Sequence, residues 1–332
     1  MTSRERVKKA IHFAGPDRVP HCLPDGKEND LLWLWPNRRE QLPWTLQPDG
    51  MEKRIDAWGT EYWRAPGSAV AHGEKGSISI PDVEKQQDFI FPDFHRPEVF
   101  KEVIRSVEEN QKSRNPRYAL GVMPYGSLNE GTHNLIELDK MFLAYYESPL
   151  ALKGLIARLS AAQKEDIRIY AEMGCDGVMA YDDWGLQDRQ MVGTGLMEEF
   201  FMPSYRENWQ YAHSLGMDVW MHSCGYIIDL LPLFKDWGLD VIQMDQQENM
   251  GLENLDAKIG GKLAFWCPVD IQKTMVEGDE AAVRAYVRKI RSTVGNHDGG
   301  MIGMAYSTPD SVGHAPQKTA AMCDEFRRLP GY

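Results

Sequence analysis

Between residues 118 and 307 six short apolar runs recur, with stretches of helical spacing before, between and after them. The runs are "YALGVMP" (118–124), "GVMAYDD" (177–183), "DVWMHSCG" (218–225), "DVIQMD" (240–245), "LAFWCPVD" (263–270) and "GMIGMAYS" (300–307). None shows the strict apolar–polar alternation of a strand with one wet face. Strands buried on both faces read as continuous apolar runs, and parallel strands need helical crossovers between them. Helical spacing over 97–114, 137–173, 196–215, 227–236, 278–294 and 315–328 supplies those crossovers. The chain is therefore expected to be an α/β protein with a parallel sheet.

Nearly every run ends in groups that carry chemistry. These are His21 and Asp25, Asp182 and Asp183, His222 and Cys224, Asp245, Cys267 and Asp270, and Tyr306. In a (β/α)8 barrel the C-terminal ends of the strands meet in one mouth, whereas an open sheet would leave several of these residues far apart. No GxGxxG follows a strand and no GxxxxGK[ST] occurs, so dinucleotide and P-loop readings lack support. A TIM barrel needs two further strands from the first hundred residues, and "DRVPHCLPD" (17–25) and "SISI" (77–80) are the candidates. Between them lies an irregular insertion holding Trp33, Trp35, Trp44, Trp58, Tyr62 and Trp63. That is half of the ten tryptophans, enough to anchor the insertion at the barrel mouth and, through Trp58, to wall a substrate pocket. The whole of 1–332 reads as one such barrel domain, a length usual for the fold.

The formal net charge of −12 disfavours nucleic acid and anionic membrane as partners. The opening "MTSRERVKKAIHFAGPDRVP" has no apolar core of a signal peptide and reads as a short amphipathic helix. Five scattered cysteines then read as thiols, and the cytoplasm as the expected location.

The sharpest local signal is His222-x-Cys224-Gly225. Residues two apart on a strand share a face, so an imidazole and a thiolate stand side by side. Either they are two core residues or they are half of a zinc site, for which Cys267 is the candidate third ligand; three protein ligands leave one position open, as catalytic zinc requires. Asp182 and Asp183 cannot both enter the barrel. One is expected to face the pocket and the other to cap or support a loop, with Asp183 taken as catalytic and Asp182 as lining the substrate site. Tyr306 is the candidate acid at the last strand end, and His21 and His133 are further candidates for substrate binding. His314 reads as a loop histidine.

Several stretches together resemble the uroporphyrinogen decarboxylase superfamily: "SRERVKKAIHFAGPDRVP", "DAWGTEYW", "CDGVMAYDDWG", "MPSYRENWQYAHSLGMDVWMHSCGYIIDLL", "GLDVIQMDQ" and "KLAFWCPVDIQ". The resemblance implies a (β/α)8 barrel, often dimeric, that is either a porphyrin decarboxylase or a zinc-dependent methyltransferase working with a corrinoid protein. The decarboxylases carry an arginine-rich N-terminal motif, but here no arginine lies between Arg18 and Arg38. The "HSCG" stretch is similar to the His-x-Cys zinc motif of the methyltransferases. Their C-terminal cysteine ligand has no counterpart, since "GMIGMAYSTPD" places Tyr306 there. The expectation is thus a corrinoid-dependent methyltransferase (O-demethylase type) acting on a small methylated ether or amine. Zinc would be held by His222, Cys224 and Cys267, and cobalamin supplied by a partner protein. The alternatives are a metal-free decarboxylase for a smaller acid and a non-catalytic ligand-binding barrel.

Overall fold

The computed structural model describes residues 1–38, 43–67, 74–76 and 78–332. Each of the six apolar runs forms a parallel strand. With two short N-terminal strands they make an eight-stranded sheet, numbered here β1 (His21–Cys22), β2 (Leu31–Leu34), β3 (Tyr118–Val122), β4 (Gly177–Tyr181), β5 (Asp218–His222), β6 (Val241–Gln243), β7 (Ala264–Cys267) and β8 (Met301–Met304). β2 to β8 pair in succession, and β1 pairs with β8. The remaining seam, between β1 and β2, is bridged by the Asp30 N–H donating to the His21 carbonyl at 2.9 Å. The result is a nearly closed (β/α)8 barrel.

Alternation along the strands sorts the core into two layers. Leu31, Tyr118, Leu120, Met179, Trp220, Val241, Ala264, Trp266, Ile302 and Met304 fill the interior. Their strand neighbours Val178, Ala180, Val219, Met221, Ile242, Phe265 and Met301 pack outward with the surrounding helices. Burying a side chain of this kind contributes roughly 1.5–3 kcal/mol relative to leaving it in water, so the runs have to be apolar throughout.

The N-terminal helix Ser3–Ile11 opens with a capping box at Thr2 and Glu5, as its sequence predicts. Val7, Ala10 and Ile11 insert into the interior cluster. Arg4 holds Asp176 at 2.6 Å and His12 holds Asp218 at 2.9 Å, both acids standing where strands begin. This helix therefore closes the end of the barrel opposite the mouth.

Two sequence expectations change. The second strand is Leu31–Leu34, not 77–80; residues 78–80 are not in a strand, and residue 77 lies outside the described residues. The insertion also has its own antiparallel sheet of four short strands, Thr45–Leu46, Glu52–Ile55, Glu61–Arg64 and Glu74–Lys75. Its tryptophans do three jobs. Trp44 stacks under Arg54 and Arg64. Trp58 anchors against Phe91, Phe94 and Tyr125. Trp33 and Trp35 belong to the barrel mouth. No helix among the described residues is long and apolar enough to cross a membrane.

Candidate metal centre

β4 and β5 end side by side, with Tyr181 opposite His222 in register. Beyond that point the two loops are laced together. Asp182 N–H donates to the His222 carbonyl at 2.9 Å, Gly185 N–H to the Cys224 carbonyl at 3.1 Å, and Tyr226 N–H to the Leu186 carbonyl at 2.7 Å. Gly225 has φ +79°, and a Cβ on it would run into the Gly185 backbone; a Cβ on Gly185 would strike the backbone of Gly225 and Tyr226. Only glycine at both positions allows this crossing.

The lacing gathers Asp183, His222 and Cys224, each offering one ligand atom within 4.8 Å of the others. Cys224 Sγ lies 3.2 Å from His222 Nε2. Asp183 Oδ1 lies 3.3 Å from the same nitrogen and accepts the Cys224 N–H at 2.7 Å. Burial alone would discharge His222, yet hydrogen bonds to Asp183 and Cys224, helped by the charges of Cys224 and Asp245, outweigh it and push its pKa well above the ordinary value. The Cys224 thiol is pushed up, by burial first, with His222 opposing. Asp183 and Cys224 thus stabilise a proton on His222, and the three ligand atoms stand close enough together to meet one cation.

Neighbouring strands complete the surround. His222 and Gln243 are register partners on β5 and β6. Gln243 Oε1 accepts from His222 Nδ1, and Gln243 Nε2 donates to Asp245 Oδ1 at 2.8 Å. A chain of rings leads outward from His222 through Tyr181 at 5.5 Å to Trp35 at 5.6 Å from Tyr181, then back into the barrel through Trp33 at 5.2 Å from Trp35 and Trp266 at 5.1 Å from Trp33. Trp35 is 49% exposed, so this aromatic wall reaches from the candidate ligand atoms to solvent.

Helix Asn129–Ile136 forms another side. Glu130, in its first turn, has its pKa raised to about 8 by burial and by the charges of Asp183 and Asp182. His133, one turn later, is lowered to about 4 by burial and by Lys75, against the pull of Asp183. Tyr306 follows β8 and feels the charges of Asp245, Cys224 and His222; burial raises its pKa. Both His133 and Tyr306 therefore lie at this mouth.

Other sequence candidates lie elsewhere. Asp182 is fully buried and points away from the mouth, where its carboxylate accepts N–H groups of Leu128, Asn129 and Glu130 at 2.8–3.0 Å, and also the Tyr205 hydroxyl. It caps the Asn129–Ile136 helix from a different strand and has no oxygen left for substrate. Cys267 is 1% exposed and packs in the outer layer, because inward Trp266 precedes it and strand neighbours face opposite ways. Its thiol is not gathered with the three. His21 also faces outward, paired with Gly303, against which Phe326 of the last helix packs; its Nδ1 lies 3.2 Å from Arg18, and Cys22 takes the inward place. Trp58 serves the insertion anchor described above. His314 is buried on the Ile271 carbonyl at 2.9 Å.

Sequence reasoning missed Gln243, Glu130, Tyr181 and Trp266. Gln243 and Tyr181 carried a usable signal, for each sits two residues before an acid on the inward period of its run.

Comparison with known proteins gives a consistent picture of the fold. The profile of the family described as Uroporphyrinogen decarboxylase (URO-D) matches residues 78–329. A curated uroporphyrinogen decarboxylase of Tolumonas auensis is 26% identical over 171 residues, which span 50% of this chain and 45% of that protein, less than half of the relative's length. Among solved structures, a methyltransferase from Methanosarcina mazei superposes over 99% of both chains with a TM-score of 0.69 at 13% identity, a likeness of fold.

Proposed function

The chain belongs to the uroporphyrinogen decarboxylase family, and from that premise we propose that it is a zinc-dependent methyltransferase that moves a methyl group from a small methylated ether or amine to a corrinoid carried by a separate protein. The observation that carries this reading is the convergence of Asp183, His222 and Cys224 at the barrel mouth. Carboxylate oxygen, imidazole nitrogen and thiolate sulfur form a donor set that suits zinc, and three protein ligands leave a position for substrate. The set also fits because His222 Nδ1 is engaged by Gln243, which leaves Nε2 turned toward Asp183 and Cys224. In this reading Asp183 takes the third ligand place expected for Cys267. The methyltransferase structure with the same fold is in keeping with it.

Bound there, zinc supplies a Lewis acid that draws electron density from the oxygen or nitrogen losing its methyl group. The chain's own residues do the rest. Asp183 is held in place by the Cys224 N–H. Tyr306 and Glu130 flank the mouth, and either can pass a proton to the departing heteroatom, Glu130 because it still carries one near neutral pH. Tyr181, Trp33 and Trp35 shelter the methylated end of the substrate from water. A corrinoid is too bulky to share the barrel interior with a substrate, so its protein meets the mouth from outside.

The test joins metal analysis to turnover. Purified protein is expected to bind one zinc per chain, and Cys224→Ser to lose it, since a hydroxyl is hardly ionised at neutral pH. With zinc bound, methylation of a reduced corrinoid protein is followed against a panel of methyl ethers and methylamines. Protein that binds no zinc when offered it sinks this mechanism and leaves the metal-free decarboxylase reading in front.

A further inference from the structure

Gln243 is 4% exposed and Asp245 3% exposed, yet the metal site described above has no place for either as a ligand. Burying an amide and a carboxylate inside a barrel is costly unless each polar atom is used. Gln243 uses all of them. Its amide nitrogen donates one hydrogen to Asp245 Oδ1 at 2.8 Å and faces Met304 Sδ at 3.2 Å with the other. Its amide oxygen meets His222 Nδ1. A carboxylate accepts only, so Asp245 decides which end of the amide faces it. The NH2 turns to Asp245, the oxygen turns to His222, and an oxygen there demands a hydrogen on Nδ1. Nε2 is then the nitrogen left facing Asp183 and Cys224, the one a cation there would meet.

We propose that Gln243, aimed by Asp245, is the positioning residue of the metal site, fixing the ring orientation and tautomer in which His222 offers Nε2 to the cation. The inference rests on the zinc reading above and deepens it by saying what makes His222 a ligand. It also accounts for the inward places on β6, the strand beside His222. Side chains that hydrogen-bond the far nitrogen of a ligating histidine raise its affinity for metal, and losing one costs about 10- to 100-fold.

The experiment measures zinc affinity by competition with a chelator on the intact chain, for wild type, Gln243→Met and Gln243→Glu. Methionine keeps the length and packing but accepts no such bond, whereas glutamate keeps an oxygen opposite Nδ1. The expected result is a loss of about 10- to 100-fold for Gln243→Met and affinity within about threefold of wild type for Gln243→Glu. A side chain that merely fills space predicts the reverse order, because an added buried acid beside Asp245 would harm packing more than methionine does. Equal affinity in wild type and Gln243→Met, or an equal fall in both variants, overturns the proposal. Cobalt(II) titration supplies a spectroscopic check: the thiolate charge-transfer band of Cys224 should persist in Gln243→Met at higher metal concentration. Should that variant not fold, Asp245→Asn stands in, since an amide there no longer dictates the Gln243 orientation. Its affinity should fall by a smaller factor, and an unchanged affinity overturns the proposal equally. If wild type itself binds no zinc, the metal reading fails first and this inference with it, an outcome distinct from the others.

Discussion

Asp182 and Asp183 are chain neighbours with opposite duties, and the reason is one of parity. Successive strand residues face opposite sides, so Asp183 enters the mouth while Asp182 turns to the Asn129–Ile136 helix and takes three of its first N–H groups. Asp182→Ala would strand those donors and the Tyr205 hydroxyl; loss of a cap alone costs about 1–2 kcal/mol, and buried unpaired groups add to it. Denaturant unfolding should show at least that drop, with zinc affinity weakened as well because Asp183 shares the same backbone. Cys267→Ser should behave otherwise. Zinc content stays at the wild-type level, while a hydroxyl in the apolar outer layer lowers stability by about 1–2 kcal/mol; zinc lost on that exchange would show that Cys267 reaches the metal. Parity also explains what the sequence hides. Residue types at strand ends stand out, as His222, Cys224 and Asp183 do, but which of two neighbours faces in depends on the register. Cys267 and His21 each lie one step from the inward position.

At the level of elements, the six central strands and most helices are legible because continuous apolar runs and helical spacing are tertiary facts written locally. Several features are not, and the clearest are these. β2 lies inside the Trp-rich "LLWLW" stretch, too short and too close to the insertion to stand out. The 137–173 helix is in fact two, Leu138–Glu147 and Pro149–Met173, with Pro149 beginning the second. The Asn129–Ile136 helix has no capping side chain at Leu128, because its cap arrives from Asp182, more than fifty residues away. A cap supplied through space leaves no local signature. The loop crossing of Gly185 and Gly225 makes a prediction at this scale. Gly225→Ala places a side chain in left-handed backbone, worth about 1–2 kcal/mol, and pushes on the Gly185 main chain besides. Thermal unfolding should register the loss. Zinc affinity should fall too, because the crossing is what brings Asp183 to Cys224.

For the whole molecule, charge and pH give two expectations. A net charge of −12 disfavours a polyanionic substrate. Of the arginines flanking the stretch that stands where the decarboxylases carry their arginine-rich motif, Arg18 is committed to Asp30 at 2.7 Å. Uroporphyrinogen, with its many carboxylates, should therefore not be turned over, and formation of coproporphyrinogen at a useful rate would contradict this. The closed end of the barrel should respond to pH. His213 holds Asp240 at 2.7 Å, a bond that raises the histidine pKa above its ordinary 6.5 even against burial. A raised folded-state pKa stabilises fully below the unfolded value and loses that contribution as pH rises through the folded one. The stability gap between wild type and His213→Gln should be widest near about pH 5.5 and narrow above neutrality; a gap that widens with pH would contradict the assignment.

The helix that closes that end, Ser3–Ile11, is synthesised well before its partners. His12 waits for Asp218, 206 residues on, and Ile302 and Met304 of the interior it plugs come later still. During translation Val7, Ala10 and Ile11 therefore have no finished barrel to enter, and an apolar stripe stays uncovered while most of the polypeptide is made. The seating of this helix then has to wait for the strands it plugs, and the interval before it is when a nascent chain of this kind depends most on being shielded from its neighbours.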